Sequence, residues 1–544
     1  MADGPRDAPP FQIVEATISS VHAAIRKNEL TSVELMTLYL ERIKAYNLEL
    51  SRGAPINAFV SINPSLFEDA RRLDEYYKKN GEFIGPLHSI PVIVKDNIDT
   101  YDFPSTSGSL SMLGSQPTRD ALLVKRLREA GAIIIGKGSM DEFGNGMTGI
   151  SSRSGRIGNP YNPLLNPGGS SGGPAAAVNA NFAIIGIGTD NSGSIRVPAA
   201  FNGLYGLRPT TSLISHAGIF PRGNLDAVSG PLARTVEDLA AVLTVIAQPE
   251  PGEGTTLSYD PSTGQGFKNK KIGLINKVFN INPNRHASKE VNKIYKNFSS
   301  KLTELGAILI EIELPDFKID RKNNLAGEID EINAYLSTFP STRENFEDIC
   351  KSNRTLSFGG TKGCIEHNNQ TAPKESQTYQ DTLNFFAFNR AYLMNVMKDY
   401  ELDAFLMPIS AHGTPNYDVW DMNTWTAPLS SNSGLPAIAV VAGYTKGSLP
   451  VGIELIGKMF TEKELIEMAY AYEKSSRPRQ LPQMTGSSAL KNATIPAMNN
   501  LFTEIGYQAF STILLKEGPG ELTPARFSSI VEELIRNMNK IEKH

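Results

Sequence analysis

Cysteine is nearly absent from this chain of 544 residues: Cys350 and Cys364 are the only two. A disulfide framework is thereby excluded, at most one bridge can form, and two reduced thiols are the simpler reading. Histidine is sparse too. None of His22, His88, His216, His286, His367, His412 or His544 belongs to an i, i+4 pair or stands beside a second plausible ligand, so no metal is expected. Tryptophan occurs only as Trp420 and Trp425, in a loop before the last strands, where the pair either lines an aromatic acyl pocket or caps the core. No run approaches the roughly 20 apolar residues of a membrane span, and the first residues, Met1 to Asp7, lack the apolar centre of a secretory signal. Positive charge is not in excess: 53 Lys and Arg stand against 57 Asp and Glu, for a net charge of -4, which leaves no footprint for nucleic acid. A cytoplasmic enzyme acting on a small molecule or peptide, as a monomer or homodimer, is the expectation.

Glycine and serine, by contrast, cluster. Pro167-Gly168-Gly169-Ser170-Ser171-Gly172-Gly173 is followed, after a small apolar stretch, by Thr189-Asp190-Asn191-Ser192-Gly193-Ser194-Ile195-Arg196. Such clusters are most often linkers. Here Pro174 to Val178 continue as an apolar helix-like segment and Phe182 to Gly188 read as a buried strand, so the clusters are set into a core. A phosphate loop requires Lys and then Ser or Thr after the last glycine, and Gly173 is followed by Pro174-Ala175. What remains is a site where glycines bring backbone N–H groups close to a ligand and serine supplies a hydroxyl.

Along the chain, Thr31-Ser32-Val33-Glu34 reads as a capping box opening a helix with Val33, Met36, Leu40 and Ile43 at helical spacing. Ile90 to Val94 is a β-branched run ending at Lys95, and a helix over 120–130 stops at Gly131 before the strand Ala132 to Ile135. Strands are read near 272–275, 308–312, 404–407, 437–441 and 452–456, with helices carrying Val291 to Leu305 and spanning about 462–473. The alternation predicts an α/β fold with a mixed, largely parallel twisted sheet sandwiched between helices. The polar, Asn-rich span of about 315–400 breaks the rhythm and reads as an insertion over the site. Residues 1–479 form the catalytic domain, and 480–544 a helical extension that packs on it, mediates dimer contacts or covers a membrane-facing surface.

Ser194, at a strand-exit turn among possible oxyanion donors, is the candidate nucleophile. With no histidine patterned near it, another base is needed. Lys95 fits, because desolvation at the end of an apolar strand lowers its pKa, although Asp96 and Asp99 could instead hold it charged. Asp190 and Arg196 read as a buried pair bracing the turn.

Gly168 to Gly173, Gly188 to Ala199, Gly206-Leu207-Arg208-Pro209-Thr210, Ile90 to Asn97, Met140 to Phe143 and Leu449 to Gly457 together resemble the amidase signature family, a similarity spanning about Leu30 to Arg477. The resemblance implies a cofactor-free amidase with a Ser-cisSer-Lys triad: Ser194 as nucleophile, Ser170 as the bridging serine after a cis bond, and Lys95 as base. It also implies an oxyanion hole from the N–H groups of Asn191, Ser192, Gly193 and Ser194, and a backbone contact from Gly144 to substrate. Ser192 replaces a usual glycine: if the position needs a positive φ, serine is strained there, and otherwise the donors survive. Two other readings stand: the glutamine-hydrolysing subunit of a transfer-RNA amidotransferase, and a non-catalytic binding protein on the same fold.

Overall fold

The computed structural model describes residues 11–223, 225–247, 257–275, 288–319, 326–414, 428–487, 490–514 and 523–541. Trp420 and Trp425 lie outside the described residues. The strands, in chain order, are β1 (Phe59–Ile62), β2 (Pro91–Lys95), β3 (Ile133–Gly138), β4 (Ile150–Ser151), β5 (Gly155–Arg156), β6 (Ile185–Asp190), β7 (Tyr205–Arg208), β8 (Val228–Ala233), β9 (Lys271–Leu274), β10 (Ile308–Glu311), β11 (Ala404–Pro408), β12 (Ala437–Tyr444) and β13 (Pro450–Ile456). β4 and β5 pair alone, and the others form one 11-stranded sheet in the order β1-β3-β2-β6-β8-β7-β12-β13-β11-β9-β10, mostly flanked by helices.

The sheet is mixed, as expected, but its parallel share is smaller than expected. Only β2–β3, β2–β6, β9–β10 and β9–β11 run parallel, while the middle of the sheet is antiparallel from β6 through to β11. Periodicity marks a strand without giving its direction, which tertiary connections decide. Local signals fare well. Thr31 Oγ1 accepts the Glu34 N–H while the Glu34 carboxylate accepts the Thr31 N–H, closing the capping box of the helix Ser32–Tyr46. Every residue of β2 is buried, as a continuous apolar run covered on both faces requires.

The span 315–400 divides in two. Helices Glu328–Leu336, Phe346–Lys351 and Gly360–Gln370 build a separate core with Met112, Phe143 and Phe220. The helix Gln377–Asp399 instead lays Leu393 and Met397 against Phe405, Met407 and Ile456 of the sheet. It packs as an ordinary layer helix and not in the separate core. The reduced-thiol reading is also corrected: Cys350 and Cys364 form a disulfide, with Cα atoms 5.4 Å apart. The turn between two insertion helices brings them together, which their spacing in sequence does not reveal.

The extension packs on the domain through helices Ile495–Leu514 and Pro524–Ile541. Asn499 Oδ1 accepts the Ile62 N–H at 2.8 Å, and its Nδ2 donates to the Ile62 carbonyl at 3.0 Å, so one side-chain amide occupies both polar groups of a residue on β1. Arg153 ties the same region together, donating to the carbonyls of Phe502 at 3.1 Å and Val60 at 2.9 Å. No described helix is long and apolar enough to cross a membrane.

Candidate active site

β2 and β6 are parallel neighbours, so their C-terminal ends open on the same edge of the sheet, the usual place for a ligand in an open α/β sheet. β2 delivers Lys95 there, and β6 delivers Thr189 and Asp190. The first Gly/Ser cluster reaches the same edge because its glycines allow close approach. A Cβ on Gly169 would overlap Asp141 Oδ2, and one on Gly173 would overlap the Ser139 carbonyl. The peptide bond between Gly169 and Ser170 is cis.

Lys95 is fully buried. Its Nζ lies 2.6 Å from Ser170 Oγ, 2.7 Å from Thr189 Oγ1 and 3.4 Å from the Thr189 carbonyl oxygen. None of these partners is a carboxylate. Burial pulls the Lys95 ammonium down to about 7, against the upward pull of Asp141 and Asp190. Asp96 and Asp99, the residues that could have held it charged, face elsewhere. Asp96 accepts from the hydroxyl of Thr106 and the N–H of Gly108, and Asp99 accepts from Tyr335 Oη at 2.6 Å. Asp141 accepts the N–H groups of Thr148 and Gly149, fixing the loop beside Ser170.

Ser194 is brought beside this pair through backbone: the Ser171 N–H donates to the Ser194 carbonyl at 3.2 Å. Among the described residues no hydrogen bond joins the Ser194 and Ser170 hydroxyls, so Lys95 and Ser170 are coupled directly and Ser194 stands next to them. Gly144, in a 3-10 turn at Glu142–Gly144, also borders the site, since a Cβ there would lie 3.7 Å from Ser170 Oγ.

The turn after β6 is organised by Asp190. Its carboxylate accepts the N–H of Gly193 at 2.7 Å and of Ile195 at 3.1 Å, and pairs with Arg196 and Arg208 at 3.1 Å each. Arg196 also reaches Glu454 at 2.6 Å, and none of these four side chains is exposed. Burial pushes the Asp190 carboxyl up, but Arg196 and Arg208 outweigh it and hold the group well below the usual carboxylate range. The bracing pair is thus a buried network of four groups. The expected fan of oxyanion donors needs one correction, because the Gly193 N–H already serves Asp190. Gly193 takes the positive φ of this turn, 122°, whereas Ser192 lies outside the left-handed region and carries no backbone strain. The sequence feature that favoured a non-catalytic protein therefore loses its force.

Sequence reasoning missed Thr189 as a partner of Lys95, and Arg222 altogether. Arg222 is held through its carbonyl, which accepts from Asn191 Nδ2 at 2.8 Å, and its stem faces Gly144. Neither carries a local signal, since both act through neighbours that only the folded sheet brings close.

The chain is similar to known proteins over most of its length. A family profile described as Amidase matches residues 34–466. The structure of a peptide amidase from Stenotrophomonas maltophilia superposes with a TM-score of 0.79 at 31% identity, covering 87% of this chain and 99% of that one. An amidase family protein from Bacillus anthracis gives 0.76 at 29% identity, covering 87% of this chain and 93% of that one. Among curated sequences, a glutamyl-tRNA(Gln) amidotransferase subunit from Exiguobacterium sibiricum is 32% identical over 506 residues, covering 87% of this chain and all of that protein, 100%. With its profile match, its sheet and its glycine–serine edge in agreement, this chain belongs to the amidase family.

Proposed function

We propose that this amidase cleaves a carboxylic amide through an acyl-enzyme on Ser194, with Ser170 and Lys95 as the proton relay. The observation that carries the reading is the buried Lys95 amine, 2.6 Å from Ser170 Oγ and without a carboxylate partner. A neutral amine has two N–H groups and one lone pair. With the N–H groups directed at Thr189 Oγ1 and the Thr189 carbonyl, the lone pair is left for the Ser170 hydroxyl. Lys95 takes the Ser170 proton as Ser170 takes that of Ser194, and the Ser194 oxygen attacks the amide carbon. The C–N bond then breaks as the proton returns through Ser170 to the departing nitrogen, and water releases the acid by the same relay. The backbone N–H groups of Asn191 and Ser194 meet the oxyanion.

The pH dependence follows from the sign of the Lys95 shift. Only neutral Lys95 accepts a proton, so kcat/KM is expected to fall about tenfold per pH unit below the lysine pKa of about 7, and to level off above it. Lys95→Ala should remove this limb and lower the rate by about 10²–10⁴-fold. A Lys95→Ala enzyme with the wild-type pH profile would remove lysine as the base.

We infer that the chain acts alone, on the strength of the tail that covers an edge of its own sheet. Purified by itself, it is expected to hydrolyse carboxamides. Hydrolysis of glutamine only, and only with added partner subunits, would place it instead with the amidotransferase subunits that it resembles in sequence. The Cys350–Cys364 bond favours an oxidising compartment over the cytoplasm expected from composition.

A further inference from the structure

The space between Ser170 and Arg222 is at most one small group wide. A carbon placed as a Cβ on Gly144 would lie 3.7 Å from Ser170 Oγ, 3.8 Å from Arg222 Cγ and 4.0 Å from Arg222 Cβ, ordinary van der Waals contact with both residues. Neither wall yields easily. The Gly144 N–H donates to the Asp141 carbonyl at 2.9 Å. The Arg222 guanidinium pairs with Glu328, donates to Asn145 Oδ1 at 2.7 Å, and lies 5.6 Å from the ring centre of Phe358. Glu328 is only 1% exposed, and its other oxygen meets His367 Nε2 at 2.8 Å. Burial raises the Glu328 carboxyl, but Arg222 and His367 prevail and keep it ionised. The insertion thus fixes the arginine in place.

Under the relay described above, Ser170 hands its proton to the departing nitrogen, so the leaving group must come within about 2.6–3.2 Å of Ser170 Oγ. We propose that Arg222 is a specificity-determining residue that closes the leaving-group side of the site, restricting hydrolysis to primary carboxamides that release ammonia. An –NH2 group fits a space one carbon wide, whereas an N-alkyl or N-aryl substituent meets the arginine stem. The inference rests on the Ser194, Ser170 and Lys95 reading.

The test compares kcat/KM for matched primary amides and p-nitroanilides across a panel of acyl groups, in the wild type, Arg222→Ala and Glu328→Gln. The wild type is expected to favour the primary amide by about a hundredfold or more. Arg222→Ala should narrow that ratio at least about tenfold, and Glu328→Gln, which frees the guanidinium without shortening it, should narrow it less. A wild type that cleaves both classes equally, or a folded Arg222→Ala enzyme with an unchanged ratio, overturns the proposal. If Arg222→Ala does not fold, the wild-type ratio and its narrowing in Glu328→Gln decide in the same way. A Ser194→Ala enzyme that still turns over would sink the triad reading, whereas an inactive Ser194→Ala beside an unselective wild type sinks the arginine gate alone.

Discussion

Ser194→Ala is expected to lose amide turnover by roughly four to six orders of magnitude while keeping its fold and its melting temperature. The two halves of that expectation have separate grounds. The hydroxyl makes no hydrogen bond among the described residues and the residue is 5% exposed, so its removal costs the fold little. Without it there is no oxygen for the acyl group, and the Lys95 and Ser170 pair has only water to activate. Intact mass is the direct readout: a slow amide or a serine-directed fluorophosphonate should add its mass to the wild type and not to the variant. A variant that retains a tenth of wild-type turnover, or that still takes up the label, would move the nucleophile elsewhere. Ser170→Ala offers the contrast, since it keeps the nucleophile and breaks the relay, and should lose about 10²–10⁴-fold.

Asp190→Asn should have the opposite character, with its first effect on stability. Asp190 and Glu454 face Arg196 and Arg208 with no exposure of any of the four, so the substitution leaves two buried guanidinium groups with one carboxylate. Breaking a buried ion pair by removing one partner costs about 3–5 kcal/mol. The neutral amide keeps the shape and loses the charge, and its single carbonyl oxygen cannot hold Gly193 and Ile195 as the two carboxylate oxygens do. Activity should fall with stability, because that turn carries Ser194. Denaturant midpoints of the two proteins decide the matter, and equal midpoints would show that the arginines find other partners.

The depth to which the sequence could be read differs from residue to residue. The family was legible in its ordered motifs, and with it the meeting of Lys95, Ser170 and Ser194, each at a strand end or in a glycine–serine run, at one edge of the sheet. The engagement of Gly193 by Asp190 was not, since the order of residues gives no hint of which N–H groups a carboxylate will claim. Glu454 comes to Arg196 across 258 residues because the sheet order brings β13 behind the helix Arg196–Phe201. Arg222 is further from view, as its position depends on an insertion whose own packing no period in the sequence announces. Strand direction was lost for the same reason: apolar runs show that β-structure forms, and only the connections show which way it runs.

Asn499 has a meaning for where this protein ends as a folding unit. β1 is the outermost strand on its side of the sheet, and an open strand edge is a template on which other chains assemble. The amide that occupies Ile62 comes from beyond residue 466, where the family match stops. A chain shortened to the family's limits would retain Lys95, Ser170 and Ser194 and yet leave the Ile62 N–H and carbonyl open at that edge. The stretch that matches the family and the stretch that covers the sheet edge in this amidase therefore have different boundaries.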